Sequence, residues 1–268
     1  MNQKIDSPQN KTIKNLVALR DKSRERKKQG LFLIEGFLEV KLAQESNYEF
    51  KSILVCLDIL DTHVFDQNIK PLLQNSVQII EVSKEVYQKL AYRSTTEGVI
   101  AVAFAKDVSI DALQLNTSTP LILVAEAPEK PGNIGALLRT ADAANVDAFI
   151  IANPKTDIYN PNVIRSSVGG VFTNKIAQGT TSQIIQFLRK QKINIYTAIL
   201  QSSISCYDQN FTQASAIVVG TEHDGLSEEW RENATQNIII PMSGKIDSMN
   251  VSVAAAIMIF EAKRQRGF

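Results

Sequence analysis

The chain has 268 residues, 44% of them hydrophobic, and its 29 Lys and Arg against 28 Asp and Glu leave a formal charge of only +1. This length suits about two domains with packed cores, excludes a disordered chain, and confines any anion-binding surface to a local patch. Two cysteines without a CxxC spacing, Cys56 and Cys206, and two distant histidines, His63 and His223, exclude a disulfide framework and a cysteine-based zinc site, so no metal is expected.

Residues 1–30 hold nine basic and three acidic side chains. Within them Ile13, Leu16, Val17 and Leu19 recur at helical spacing, which predicts one basic amphipathic helix over about 10–27. The run Leu31-Phe32-Leu33-Ile34 reads as a strand and Phe37, Val40, Leu42 and Ala43 as a helix. Further strands are expected at about 52–56, 77–82 and 98–104 and a helix at about 84–92, so residues 1–106 form a small α/β unit. The polar stretch 107–118 reads as a linker.

Beyond it, 119–268 alternates strand and helix. Strands are expected at about 121–126, 148–152, 171–176, 193–199, 216–219 and 238–240. The helices fall at about 133–144, 161–168, 181–190, 227–233 and 250–265. Continuous apolar strands between helices predict a mostly parallel sheet covered on both faces. Gly169-Gly170 reads as a turn ahead of a strand, with a close backbone approach as the alternative. The longest mostly apolar stretch, Met249 to Phe260, is shorter than the roughly 20 residues that span a bilayer. The opening MNQKIDSPQNKT lacks an apolar signal core, so a cytoplasmic protein without a membrane span is expected.

Three segments of the second half place polar residues where a strand ends and a helix begins, which is where open α/β sheets hold ligands. In Glu126-Ala-Pro-Glu-Lys-Pro-Gly-Asn133-Ile-Gly135-Ala-Leu-Leu-Arg139-Thr140, Asn133 suits a helix start. Arg139 points away from the buried stripe, and Gly135 leaves room beside it. The alternative is a packing glycine and a surface arginine. In Ile217-Val-Val-Gly220-Thr-Glu222-His223-Asp-Gly-Leu-Ser227, an apolar strand runs into a cluster of ionisable groups. This is a site candidate, or an ordinary exposed loop. In Ile238-Ile-Ile240-Pro-Met-Ser-Gly-Lys-Ile-Asp-Ser248-Met249-Asn250, Ser248 or Asn250 can cap the last helix, which leaves the other polar residues unexplained. None of the three is a GxGxxG fingerprint, which argues against a nicotinamide enzyme.

In this order, PGNIGALLRTADAANVD, IVVGTEHDGL and IIPMSGKIDSMNVSVAAAI resemble the three motifs of the SpoU (TrmH) family of RNA ribose 2′-O-methyltransferases, within the SPOUT superfamily. RKKQGLFLIEG at 26–36 and RSTTEGVIAVA at 93–103 resemble the small ribosomal-protein-like αβα substrate-binding domain that many members carry.

The resemblance implies a C-terminal trefoil knot, S-adenosylmethionine held by the knotted loops, and a homodimer whose active site draws on both subunits. Carried over by position, Gly220, Ile240 and Met249 would contact the cofactor, and Asn133, Arg139, Glu222, Ser248 and Asn250 would form the catalytic surface. Met249 stands where members commonly have leucine, an exchange of similar volume. A guanidinium holds its proton across the physiological range, so Arg139 fits stabilisation of a developing alkoxide or the adjacent phosphate better than free-base chemistry. On the basic helix, Arg24, Arg26, Lys27 and Lys28 would contact RNA phosphates; a solvated charged face is the alternative. The appended domain points to ribosomal RNA as substrate. A tRNA methyltransferase, and an RNA-binding assembly factor without turnover, are the other readings.

Overall fold

A computed structural model describes residues 3–68, 70–72, 77–93, 97–221, 224–245 and 248–268. The first part runs β1 (Gln3–Ile5), α1 (Lys11–Asp21), α2 (Ser23–Gln29), β2 (Leu31–Glu35), α3 (Phe37–Glu45), β3 (Phe50–Val55), α4 (Thr62–Asn68), β4 (Gln78–Val82), α5 (Lys84–Leu90) and β5 (Val99–Phe104). There follow β6 (Leu121–Glu126), α6 (Pro131–Ala143), β7 (Ala148–Ala152), α7 (Pro161–Ser167), α8 (Gly170–Thr173), β8 (Ile176–Gly179), α9 (Thr181–Lys190) and β9 (Asn194–Ala198). The chain ends with β10 (Ile204–Ser205), β11 (Ser215–Val219), α10 (Glu228–Asn233), β12 (Gln236–Ile239) and α11 (Val251–Arg266). Two compact units result: the chain up to Lys106 together with Asp157–Thr173, and Asp107–Thr156 together with Asn174–Phe268.

The first unit is built on a five-stranded sheet in the order β1-β4-β3-β5-β2. Strands β1, β4 and β3 are mutually parallel, and β5 is antiparallel to both β3 and β2. Its core joins Ile13, Leu16 and Leu19 of α1 to Leu31, Leu33 and Val102 of the sheet. The basic segment is two helices rather than the one expected, because Lys22 is extended (φ −121°, ψ 113°) between α1 and α2. The apolar stripe explains the break: Ile13, Leu16 and Leu19 are buried on α1, whereas α2, SRERKKQ, carries no apolar side chain to prolong it. A second aromatic cluster holds α7 and α8 to this unit. The rings of Phe32 and Tyr159 stack at 4.0 Å, Tyr48 meets Phe172 edge-on at 5.2 Å, and the Tyr48 and Tyr159 hydroxyls lie 3.3 Å apart. Burial pushes both phenols up.

The strand expected near 171–176 is a correction of the same origin. Gly169, at φ +82°, joins two helices, and a Cβ there would lie 2.4 Å from Leu42 Cδ1. The pair of glycines therefore permits a close approach to α3, after which Val171 and Phe172 are buried on α8. Strand β8 begins only at Ile176.

The second unit has a seven-stranded sheet, all parallel, in the order β10-β12-β9-β11-β6-β7-β8. The expected parallel sheet is therefore present. Every residue of β6, β7 and β11 is buried, as strands covered on both faces require. Helix α9 matches its expected span, 181–190. Thr180 and Gln183 close a capping box at its start, and Ile184, Ile185 and Leu188 fill the core, a device worth about 1 kcal/mol. The segment 107–118, expected as a linker, is docked on this sheet. Gln178 N–H donates to Val108 O at 2.6 Å, and Ile110 is buried in the core. Among the described residues no helix is long and apolar enough to cross a membrane, and no group of three or more His, Cys, Asp or Glu side chains could hold a metal ion.

Candidate active site

Strands β6 and β11 are neighbours, paired in parallel from Leu121 and Ser215 to Ala125 and Val219. In the sheet β6 has β7 on its other side and β11 has β9 on its other side, so the direction in which the strands are added reverses between them. Open parallel sheets place their ligands at the carboxyl ends of such strands. Two segments rise from that edge, 127–130 and 220–227 (described at 220–221 and 224–227), and a third, described at 240–245 and 248–250, follows β12.

The loops enclose two cavities. One, of about 140 Å³, is lined by Ala125, Lys130 and Asn133 on the α6 side and by Gly220, Thr221 and Asp224 on the β11 side. The other, of about 250 Å³, is walled by Ile238, Ile239, Ile240, Ser248, Met249 and Met258, among other residues. Thr221 lines both.

The local sequence explains how the polar groups are held. Pro131 opens α6 at a position where its missing N–H costs nothing, and Asn133 follows in the first turn. Asn250 is the N-cap of α11: its Oδ1 accepts from Ser252 N–H at 2.9 Å, and its Nδ2 donates to Asn133 Oδ1 at 3.3 Å. Residues 117 apart in the chain are thus joined at one point. Gly220 is required by packing, since a Cβ there would lie 2.2 Å from the Gly225 carbonyl carbon. Thr221 N–H donates to Gly225 O at 3.0 Å, and Asp224 N–H to Thr221 Oγ1 at 2.9 Å, which folds the loop back on itself.

Of the predicted residues, Asn133 and Gly220 line the first cavity and Ile240, Ser248 and Met249 the second. Asn250 joins the first group through Asn133. Arg139 is exposed on α6, six residues beyond Asn133 and therefore on another side of that helix. Among the described residues it makes no hydrogen bond or ion pair. Glu222, with its neighbour His223, lies outside the described residues. Sequence reasoning passed over Thr221, Lys130 and Glu126, although each adjoins a residue or motif already singled out. Glu126, the last residue of β6, is buried and accepts hydrogen bonds from Thr181 Oγ1 and from both N–H and Oγ of Ser227.

On the basic segment of the first unit, Arg24, Lys27 and Lys28 are exposed on one face of α2. Arg26 is not available to RNA, contrary to expectation. It is 4% exposed; its Nε donates to Asp157 Oδ2 at 2.5 Å and its Nη1 to the carbonyls of Leu19 and Arg20 at 2.7 and 2.8 Å. Periodicity alone placed it among solvent-facing charges, but the guanidinium is consumed in holding α1, α2 and the start of the 157–173 segment together.

The SpoU rRNA Methylase family model matches residues 120–260, more than half of the chain. The chain belongs to this family, and so to the RNA ribose methyltransferase enzymes. An MRM3-like substrate binding domain matches residues 10–101. Over 97% of this chain and 98% of the relative, it is 27% identical to the 23S rRNA (guanosine(2553)-2′-O)-methyltransferase RlmP of Bacillus subtilis (strain 168). A solved RNA 2′-O ribose methyltransferase is 35% identical, with a TM-score of 0.84 over 99% of this chain and 100% of that one. The SpoU methyltransferase AviRb from Streptomyces viridochromogenes, solved with AdoMet, shares the fold: TM-score 0.87, 24% identity, 96% of this chain and 98% of that one.

Proposed function

We propose that this protein transfers a methyl group from S-adenosylmethionine to a ribose 2′-hydroxyl of 23S-type ribosomal RNA in the cytoplasm. The observation that carries the reading is the pair of cavities sharing Thr221 at the carboxyl edge of β6 and β11, one apolar, the other lined by Asn133. Family membership supports the reaction class, and the relatives and solved structures named above support the substrate and cofactor.

The residues present fit the cofactor. The larger cavity offers isoleucine and methionine side chains to a planar base, and the bare Cα of Gly220 leaves a tight turn at its edge. Ile240 and Met249 would hold the cofactor there, with Gly220 facing it from the adjoining smaller cavity across Thr221, which lines both; when bound, the cofactor supplies an electrophilic sulfonium methyl. In the smaller cavity Asn133 and Asn250 orient the ribose with neutral donors and acceptors, adding no anion beside a cationic donor. Arg139, which faces away from Asn133 on α6, would serve the site of the second subunit in the proposed homodimer, where it stabilises the oxyanion that develops as the 2′-oxygen attacks the methyl and its proton passes to solvent, or holds the neighbouring phosphate. Ser248 and Glu222 complete the catalytic surface by position in the motifs. In the first unit, Arg24, Lys27 and Lys28 supply phosphate contacts. The trefoil knot and the homodimer with shared active sites belong to the same proposal; a light-scattering mass equal to one chain rather than two would count against the dimer.

The test is methyl transfer from isotope-labelled S-adenosylmethionine to unmodified total rRNA and, separately, tRNA, read by nucleoside mass spectrometry. A 2′-O-methylnucleoside in rRNA, absent with Arg139→Ala while cofactor affinity stays within a few fold, is the expected result. Label in tRNA alone would move the substrate, and no cofactor binding at all would refute the reaction.

A further inference from the structure

Glu126 closes a connection that the mechanism above does not use. Its carboxylate is 6% exposed and holds three donors: Ser227 N–H to Oε2 at 2.8 Å, Ser227 Oγ to Oε1 at 2.8 Å, and Thr181 Oγ1 to Oε1 at 2.9 Å. Thr181 Oγ1 in turn accepts from Asn153 Nδ2 at 2.9 Å. A carboxylate is buried at this depth only when its oxygens are satisfied, and charge-assisted bonds of this kind are the strong ones.

These bonds reach one particular loop. Val219, just before it, pairs in register with Ala125, and Ser227, at its end, is bonded to Glu126. Both ends of 220–227 are therefore tied to consecutive residues of β6. Within the loop, Gly220, Thr221, Asp224 and Gly225 line the two cavities. Ser227 is also the N-cap of α10, yet its side chain makes no capping bond to that helix. The hydroxyl is committed to Glu126 instead, so stabilisation of α10 is given up in favour of the loop's placement.

We propose that Glu126 is a positioning residue for cofactor binding: by holding Ser227 it fixes Asp224 and Gly225, and through the Thr221–Gly225 bond Gly220 and Thr221, in the geometry that receives S-adenosylmethionine. This rests on the reading of the two cavities as the methyltransferase site. Glu126 itself lines neither cavity, so it acts on cofactor affinity and leaves the chemical step to others.

The test is calorimetric titration of the full chain with S-adenosylmethionine, with steady-state kinetics on rRNA alongside. Glu126→Gln keeps the shape but turns an amide toward one of the donors. Losing one buried charged hydrogen bond weakens Kd, and raises KM for the cofactor, by about tenfold, while kcat at saturating cofactor changes by less than about threefold. The control is Ile184→Val, in the core of the same unit, which lowers Tm and leaves Kd unmoved. Ser227→Ala keeps the N–H bond, removes the hydroxyl, and weakens Kd by about threefold; it carries the test should Glu126→Gln not fold. Unchanged Kd in both site variants, or an equal loss of affinity in Ile184→Val, overturns the positioning role alone. Failure of the wild-type chain to bind the cofactor overturns the functional reading, and this inference with it.

Discussion

Arg26 separates a structural cation from a recognition one, and Arg26→Ala tests the separation. The substitution strands the Asp157 carboxylate, whose side chain is 9% exposed, with only the Tyr159 N–H at 3.0 Å as a remaining donor among the described residues. It also deprives the carbonyls of Leu19 and Arg20 of their guanidinium partner. Breaking a buried ion pair from one side costs about 3–5 kcal/mol. The retained Tyr159 bond argues for the lower figure, about 3 kcal/mol, or two orders of magnitude in the unfolding constant. For a unit of this size that is a fall of about 10 °C in Tm. Circular dichroism of the melt reads both units, and the part of its transition that Trp230 fluorescence does not share belongs to the first. Fluorescence of Trp230, the sole tryptophan and buried in the second unit, follows that unit separately. Below the melt, RNA affinity as a function of salt should keep the wild-type slope in Arg26→Ala. Arg24→Ala, Lys27→Ala and Lys28→Ala should each make that slope shallower by about 0.7–0.9, the share of one neutralised phosphate, with Tm unmoved. A stable Arg26→Ala whose salt slope is shallower would show that the guanidinium faces RNA and refute the argument.

Two further outcomes are expected. Gly220→Ala drives a methyl group into the Gly225–Leu226 backbone, 2.2 Å from the nearest atom, so the loop must shift. Cofactor affinity should fall by at least about tenfold, and an unaltered titration would show that the loop does not carry the cofactor. Burial pushes the carboxyl of Glu35 above its usual range, against the N–H donors of Tyr92 and Arg93, and its Oε1 is buried without a partner among the described residues. In the window between the unfolded and raised folded values the native state binds more protons, so stability falls as pH rises there, starting near the ordinary glutamate value. Urea midpoints of wild type and Glu35→Gln across pH 4–7 should therefore diverge in favour of Gln as pH rises; parallel curves would rule the effect out.

How far the sequence speaks depends on whether the deciding interactions are local. Helix α9 and strand β7 match their expected spans to the residue. In α9 the capping box and the Ile184, Ile185, Leu188 stripe lie within the element, and β7 is an unbroken apolar run. The 157–173 segment failed because its partners are distant. Tyr159 and Phe172 belong to an aromatic cluster with Phe32 and Tyr48, and Gly169 answers to Leu42. Nothing within six residues of Gly169 announces that approach. Arg26 failed for the converse reason, since charge reports a side chain's chemistry and is silent on its burial, and Asp157 lies 131 residues away. Only the absence of apolar residues from α2 hinted that something else must hold it down.

The candidate site shows the same limit at a larger scale. Its first two motifs are separated by 69 residues and become one surface only because β11 slots beside β6, aligning Val219 with Ala125. The third motif arrives through α11, when Asn250 reaches Asn133. Residue types could nominate Asn133, Gly220 and Asn250 singly, because each also serves a local need as first-turn residue, tight turn or cap. Glu126 serves no comparable local need, and its role exists only between segments: it binds the starts of α9 and α10. Residues whose purpose is to hold distant segments in register are therefore the ones a pattern search passes over. A site assembled from three motifs must contain them, because catalytic groups on separate loops keep their mutual geometry only where the loops are tied together beneath.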